Sequence, residues 1–125
     1  PMLDVTLGPW RELGADAAPL RTKVFVEEQG VPAELELDAA DADAVHAVAR
    51  NRLGAVLATG RLLVDGDPAG RTAKIGRMAV EPAARNAGVG RIVLDALVEA
   101  ARARGDRAVV LHAQSAAERF YLRAG

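Results

Sequence analysis

Apolar and polar positions along this chain follow two different periods. Short apolar runs stand at Asp4–Leu7, Val45–Arg50, Ala55–Val64, Ala73–Val80 and Ala108–Ala113. Turn formers separate them: Gly8-Pro9, the stretch Asn51–Gly54, the run Asp65-Gly66-Asp67-Pro68-Ala69-Gly70, and Pro82. Runs of that length and punctuation predict strands. Apolar residues at positions 89, 93, 96, 97, 100 and 101 return at helical spacing instead, so Gly90–Arg104 reads as an amphipathic helix that Gly105 stops. A first helix is expected over Ala17–Gln29. Asp16 would cap it, Pro19 would lie in its first turn, and Leu20, Val24 and Phe25 would face inward. Gly30 and Pro32 end it. Ser115-Ala116-Ala117-Glu118 has the form of a capping box, which predicts a last helix from Ala116 to about Arg123.

The resulting order, β-α-β-β-β-α-β-α, describes an α+β fold with an antiparallel front half. The passage from Ile75–Val80 through the long helix to Ala108–Ala113 is a β-α-β unit, whose two strands should be parallel with a right-handed crossover. At 125 residues the chain is expected to form a single domain spanning 1–125.

Composition narrows the function classes. With one Trp, one Tyr and two Phe, the core must rest on Ala, Val and Leu. Sixteen basic against 17 acidic residues lack the basic excess of a nucleic-acid-binding domain. The absence of cysteine removes disulfides, thiolate metal sites and cysteine nucleophiles. Two histidines far apart do not suggest zinc, and no metal is expected. No apolar run approaches the ~18 residues of a membrane span, and no signal-peptide pattern opens the chain. The expectation is a cytoplasmic protein with neither membrane nor nucleic acid as partner.

The candidate chemistry lies in Arg85-Asn86-Ala87-Gly88-Val89-Gly90-Arg91, between a strand and the long helix. Glycine lets an anion approach the backbone closely. The first N–H groups of a helix lack intrahelical partners, and the helix dipole is positive at that end. Arg85 and Arg91 add two cations. The loop lacks the Lys-Ser/Thr of a P-loop and the third glycine of the dinucleotide fingerprint. Taken alone it is either a phosphate cradle or a plain strand-to-helix connection with solvated arginines.

The pattern Arg-x-x-Gly-x-Gly in that context resembles the acyl-CoA pyrophosphate loop of the GNAT N-acetyltransferase superfamily. Further patches are similar to its ElaA-like branch: Arg21-x-x-Val24-Phe25-Val26-x-Glu28-Gln29, His46, Ala58-Thr59-Gly60-Arg61, Ile75-Gly76-Arg77-Met78-Ala79-Val80, and Leu111-His112-Ala113-Gln114 followed by Ala117 and Phe120-Tyr121. The resemblance runs from about Arg21 to Gly125. It implies the GNAT fold, a mixed central sheet flanked by helices. It also implies that the C-terminal strands usual in the superfamily are missing here, leaving a sheet edge open. An open edge would favour a homodimer.

The resemblance further implies acetyl-CoA as cosubstrate and a small-molecule or peptide amine as acceptor. Arg85, Asn86, Ala87, Gly88, Val89, Gly90 and Arg91 would hold the pyrophosphate. Met78, Ala79 and Val80 would hold the pantetheine arm, and a backbone N–H near Met78 or Ala79 would face the oxyanion. Tyr121 matches the tyrosine that protonates the leaving thiolate. An amine near pKa ~10.4 must lose a proton before it attacks. Glu28, at the end of the first helix, is the carboxylate named for that work, with His46 and His112 as other candidates; each also has a purely structural reading. Arg61 and Arg77 interrupt apolar strands and would bind an acidic group or pair with Glu27, Glu28 or Asp38. The acidic connector Ala33–Asp43 would be a solvated loop or a lure for a cationic acceptor. The rival function is a non-catalytic acyl-CoA-binding module of the same fold.

Overall fold

A computed structural model describes residues 3–36, 38–65, 71–113 and 116–122. Strand β1 (Asp4–Gly8) leads into helix α1 (Trp10–Arg21), which continues as a π-helix over Thr22–Glu28. A short helix α2 (Ala33–Glu36) and a 3₁₀ turn (Ala39–Asp43) follow. Then come β2 (Val45–Arg50), β3 (Val56–Asp65), β4 (Thr72–Val80), helix α3 (Val89–Ala103), β5 (Ala108–Ala113) and β6 (Ala116–Tyr121).

The six strands form one sheet in chain order. Every pair is antiparallel except β4–β5, which is parallel and joined through α3. The expected mixed sheet and β-α-β unit are therefore present. Alternate residues of the strands serve opposite faces. Ala47, Ala49, Ala58, Leu62, Ala73 and Ile75 pack with Val89, Val93, Leu97 and Ala101 of α3. Val48 turns the other way onto Leu13 and Ala17 of α1, and Ala79 onto Leu20 and Val24. The many alanines on the sheet keep both helices close to it, which is how so aromatic-poor a chain still closes a core.

Two expectations are corrected. The first helix starts at Trp10, not Ala17, so Asp16 is not its cap but lies within it and pairs with Arg50. Pro19 consequently sits inside the helix rather than in its first turn. Proline removes an i→i−4 hydrogen bond and crowds the preceding turn. The helix widens into π turns three residues later, the kind of irregularity that follows such an interruption.

The second correction concerns the end of the chain. Residues 116–121 form β6, antiparallel to β5, where a helix was expected. The capping-box pattern lost to the unpaired backbone edge of β5, which a strand satisfies and a helix would leave open. Phe120 and Tyr121 also suit an extended backbone better than a helix. β6 thus covers the edge of β5 and is itself the last strand of the sheet.

Leu97 is fully buried between α3 and the sheet. Replacing it by alanine is expected to cost ~2–5 kcal/mol. Denaturant unfolding should show this as a lower midpoint with an unchanged slope.

Candidate functional site

A cavity of ≈ 1320 Å³ opens where β4 and β5 part. Their parallel pairing runs from Thr72↔Ala108 to Ile75↔Leu111 and goes no further. Past Ile75, β4 stays paired with β3 on one side only. A bulge accounts for the parting. Arg61 pairs with Gly76 and Thr59 with Ala79, so Gly60 alone faces both Arg77 and Met78. An extra residue bends the bulged strand. Arg77 takes φ +51 to make the bend, a left-handed conformation unusual for a non-glycine residue. In a regular strand neighbours alternate faces, yet Gly76, Arg77 and Met78 all line the cavity. Gly60 is needed beneath them: a Cβ there would come within 2.4 Å of Met78 Sδ and 3.0 Å of Leu97 Cδ1.

The glycine loop closes one end of this cavity. Gly88, at φ +80, is the N-cap of α3, and no side chain caps the helix. Its first N–H groups are left for a ligand to meet. Asn86 also has positive φ, +70, a conformation asparagine tolerates better than most residues. Gly90 sits against the end of β4, where a Cβ would meet Val80 Cγ2 at 3.1 Å. Gly90, Arg91 and Met78 line the cavity, while Ala79 packs beneath α1. Loop and strand end are thus brought together as expected.

Glu28 and Arg85 are brought together in a way the sequence did not reveal. Both carboxylate oxygens of Glu28 accept from the Arg85 guanidinium at 2.7 Å. Those hydrogen bonds hold the Glu28 carboxyl below the usual carboxylate range. While the pair lasts, Glu28 is a tether for the loop and not a proton acceptor. Arg91 pairs with Asp95 one helical turn on.

The three remaining candidates separate cleanly. His46 is buried with its ring centroid 4.8 Å from that of Trp10 and its Nε2 2.9 Å from the Asp41 carbonyl. Burial pushes it below the ordinary imidazole value, more than the Asp41 carbonyl and carboxylate raise it. It is a neutral core group. His112 lines the cavity, opposite Gly76. Tyr121 pairs with Ala108 at the start of β5, while the cavity opens past Leu111. Three residues of strand are about 10 Å, so this register does not bring the Tyr121 backbone to the slot.

The acidic connector is more than a solvated loop. It folds as α2 and the 3₁₀ turn, with Asp38 and Asp41 forming a capping box. Three of its carboxylates, Glu36, Asp38 and Asp41, then turn onto three arginines. Arg21 donates to Glu36 Oε1 at 2.5 Å and to Asp41 Oδ1 at 2.8 Å. Arg61 donates to Asp38 at 2.8 Å and Asp41 at 2.9 Å. Arg77 reaches Asp38 at 3.2 Å. The pairing of Arg61 and Arg77 with Asp38 was anticipated; Glu27 and Glu28 take no part in it. Glu36, which also lines the cavity, was missed as a site residue. A signal existed: three arginines interrupting apolar runs at 21, 61 and 77 match three carboxylates at 36, 38 and 41.

Burial alone would raise the Asp41 carboxyl, but hydrogen bonds from Arg21 and Arg61 bring it below its ordinary value. Asp38 is lowered chiefly by Arg61. A depressed carboxyl contributes stability that is present above its unfolded value of ~3.9 and lost as pH falls through the folded one. Stability is therefore expected to drop as pH falls below ~4. The pH dependence of the urea midpoint should show this, and Asp41→Asn should flatten it while lowering stability at neutral pH.

Comparison with known proteins fits this geometry. The model of the Acetyltransferase (GNAT) family matches residues 10–125. An acyl-CoA N-acyltransferase from Pseudomonas aeruginosa is similar at 35% identity and TM-score 0.75, over 90% of this chain and 80% of that one. Escherichia coli ElaA is similar at 27% identity and TM-score 0.77, over 91% and 80%. A predicted acetyltransferase of Clostridium acetobutylicum, crystallised with acetyl-CoA, shares the fold at 22% identity and TM-score 0.71, over 91% and 82%. With a family match across nearly all its length, and with the slot and glycine loop of that fold in place, the chain belongs to the GNAT acetyltransferase family.

Proposed function

We propose that this protein transfers an acetyl group from acetyl-CoA to an amine by direct attack. The observation that carries this reading is the slot beside β4, which ends at a helix with no side-chain cap. Both features suit the substrate. An extended pantetheine arm carries amides that can hydrogen-bond to a strand edge, as an added strand does. A pyrophosphate suits free N–H groups at Val89, Gly90 and Arg91, with Arg85 and Arg91 nearby. A main-chain N–H at Met78 or Ala79 would stabilise the oxyanion, a contribution typically worth ~10²–10³ in rate. The amine nitrogen bonds to the thioester carbon as the C–S bond breaks, and the thiolate then takes a proton. Family resemblance gives that proton to Tyr121.

The distance of Tyr121 from the slot along β5 favours one second reading, an acyl-CoA-binding module without catalysis. Two variants decide. Calorimetric titration should show acetyl-CoA binding that Gly88→Asp abolishes, since aspartate brings a side chain to φ +80 and a negative charge to the phosphate site. Tyr121→Phe should leave that affinity within about twofold and lower kcat ~10²-fold or more if Tyr121 is the acid. Binding without transfer to any amine would favour the module.

A further inference from the structure

Two polar atoms from residues lining the cavity, Glu36 Oε2 and Arg77 Nε, have no hydrogen-bond partner among the described residues. Glu36 is 1% exposed. Its other oxygen is bound by Arg21 and lies 3.9 Å from Arg77 Nε. Arg77 spends Nη2 on the Leu35 carbonyl and on Asp38, which anchors its head and leaves Nε–H unspent. The two charges face each other as a loose ion pair, and a buried acceptor and a buried donor that both lack a hydrogen bond are uncommon in a folded protein. The bulge that gives Arg77 its left-handed backbone also brings it onto this wall, and such strain gathers at ligand sites.

We propose that this pair is the acceptor site and takes an α-amino acid, or another amine with a carboxylate on the neighbouring carbon. The assignment rests on the acyl-transfer reading above. The ammonium meets Glu36 Oε2 and the carboxylate meets Arg77 Nε–H; charge forbids the reverse. The Arg77 side chain is 29% exposed, and both residues line the cavity. Phe25, Val31 and Leu111 supply apolar wall for a side chain. A simple monoamine fits less well. It would leave the Arg77 Nε–H without a partner at the cavity wall. Before attack the ammonium releases one proton to solvent in the cavity. The neutral nitrogen bonds to the acetyl carbon, the C–S bond breaks, and a second proton from nitrogen ends on the thiolate.

Leucine, leucinamide and isoamylamine test this, because they keep one side chain while removing the carboxylate in two ways. With acetyl-CoA and wild-type protein, followed by release of free thiol, leucine should exceed the other two by about tenfold or more in kcat/KM. Arg77→Gln should erase that preference by raising the KM for leucine, leaving leucinamide and the affinity for CoA within about twofold. Equal use of leucinamide or isoamylamine by the wild type, or a preference that survives Arg77→Gln, overturns the proposal. If CoA binds but no amine reacts, the acyl-transfer reading fails separately. Calorimetry of leucine against leucinamide on the CoA-loaded protein then decides the pair by itself: equal or absent binding overturns it, and tighter leucine binding lost in Arg77→Gln supports it.

Discussion

The guanidinium of Arg21 holds the working half of this structure in place. It is buried at the end of α1, and its donors are spent on Glu36, on Asp41 and on the Glu36 carbonyl. Through those contacts the connector is fixed to α1, and through Asp41 and Arg61 it is fixed to β3. Arg21 also lies over the Trp10 ring, which in turn packs on His46. A buried ion pair adds little over a hydrophobic pair of the same volume, but removing one partner strands the other at a cost of about 3–5 kcal/mol. The cluster therefore specifies an arrangement more than it stabilises one. It lets a connector rich in carboxylates lie against a sheet and form a cavity wall.

The slot follows from a different economy of residues. One surplus residue in β4 ends its pairing with β5 and turns three consecutive residues to one cavity. Gly60 opposite leaves room for Met78, and Gly90 lets α3 approach Val80. The glycine loop then stands at the mouth of the slot because the chain must cross from β4 to α3 there. The cavity opens where strand pairing stops, and the surrounding packing is arranged to stop it cleanly.

Much of this was legible in the sequence. The strands announced themselves by apolar runs between turn formers, and α3 by its spacing from Val89 to Ala101. The loop from Arg85 to Arg91 read correctly as a strand-to-helix junction. What escaped were features that depend on distant residues. No local pattern shows that Asp41 sits between Arg21 and Arg61, or that Glu28 clasps Arg85, because each pair joins separate elements. The start of α1 was misplaced because Gly8-Pro9 read only as a stop, although proline also opens helices. The strand β6 was missed because its capping-box pattern is local, whereas the β5 edge that captures it is not.

The clasp between Glu28 and Arg85 gives ligand entry the character of an ion exchange. Under the proposed function an incoming phosphate would not meet a bare guanidinium; it would displace a carboxylate already seated there. One anion would replace another on the same cation. The association would then draw little net electrostatic gain from Arg85, and selectivity for phosphate would rest on geometry at the α3 N-terminus. Glu28, released in that exchange, would become a free carboxylate at the edge of the site, so loading the protein with one substrate would change the charge that greets the next.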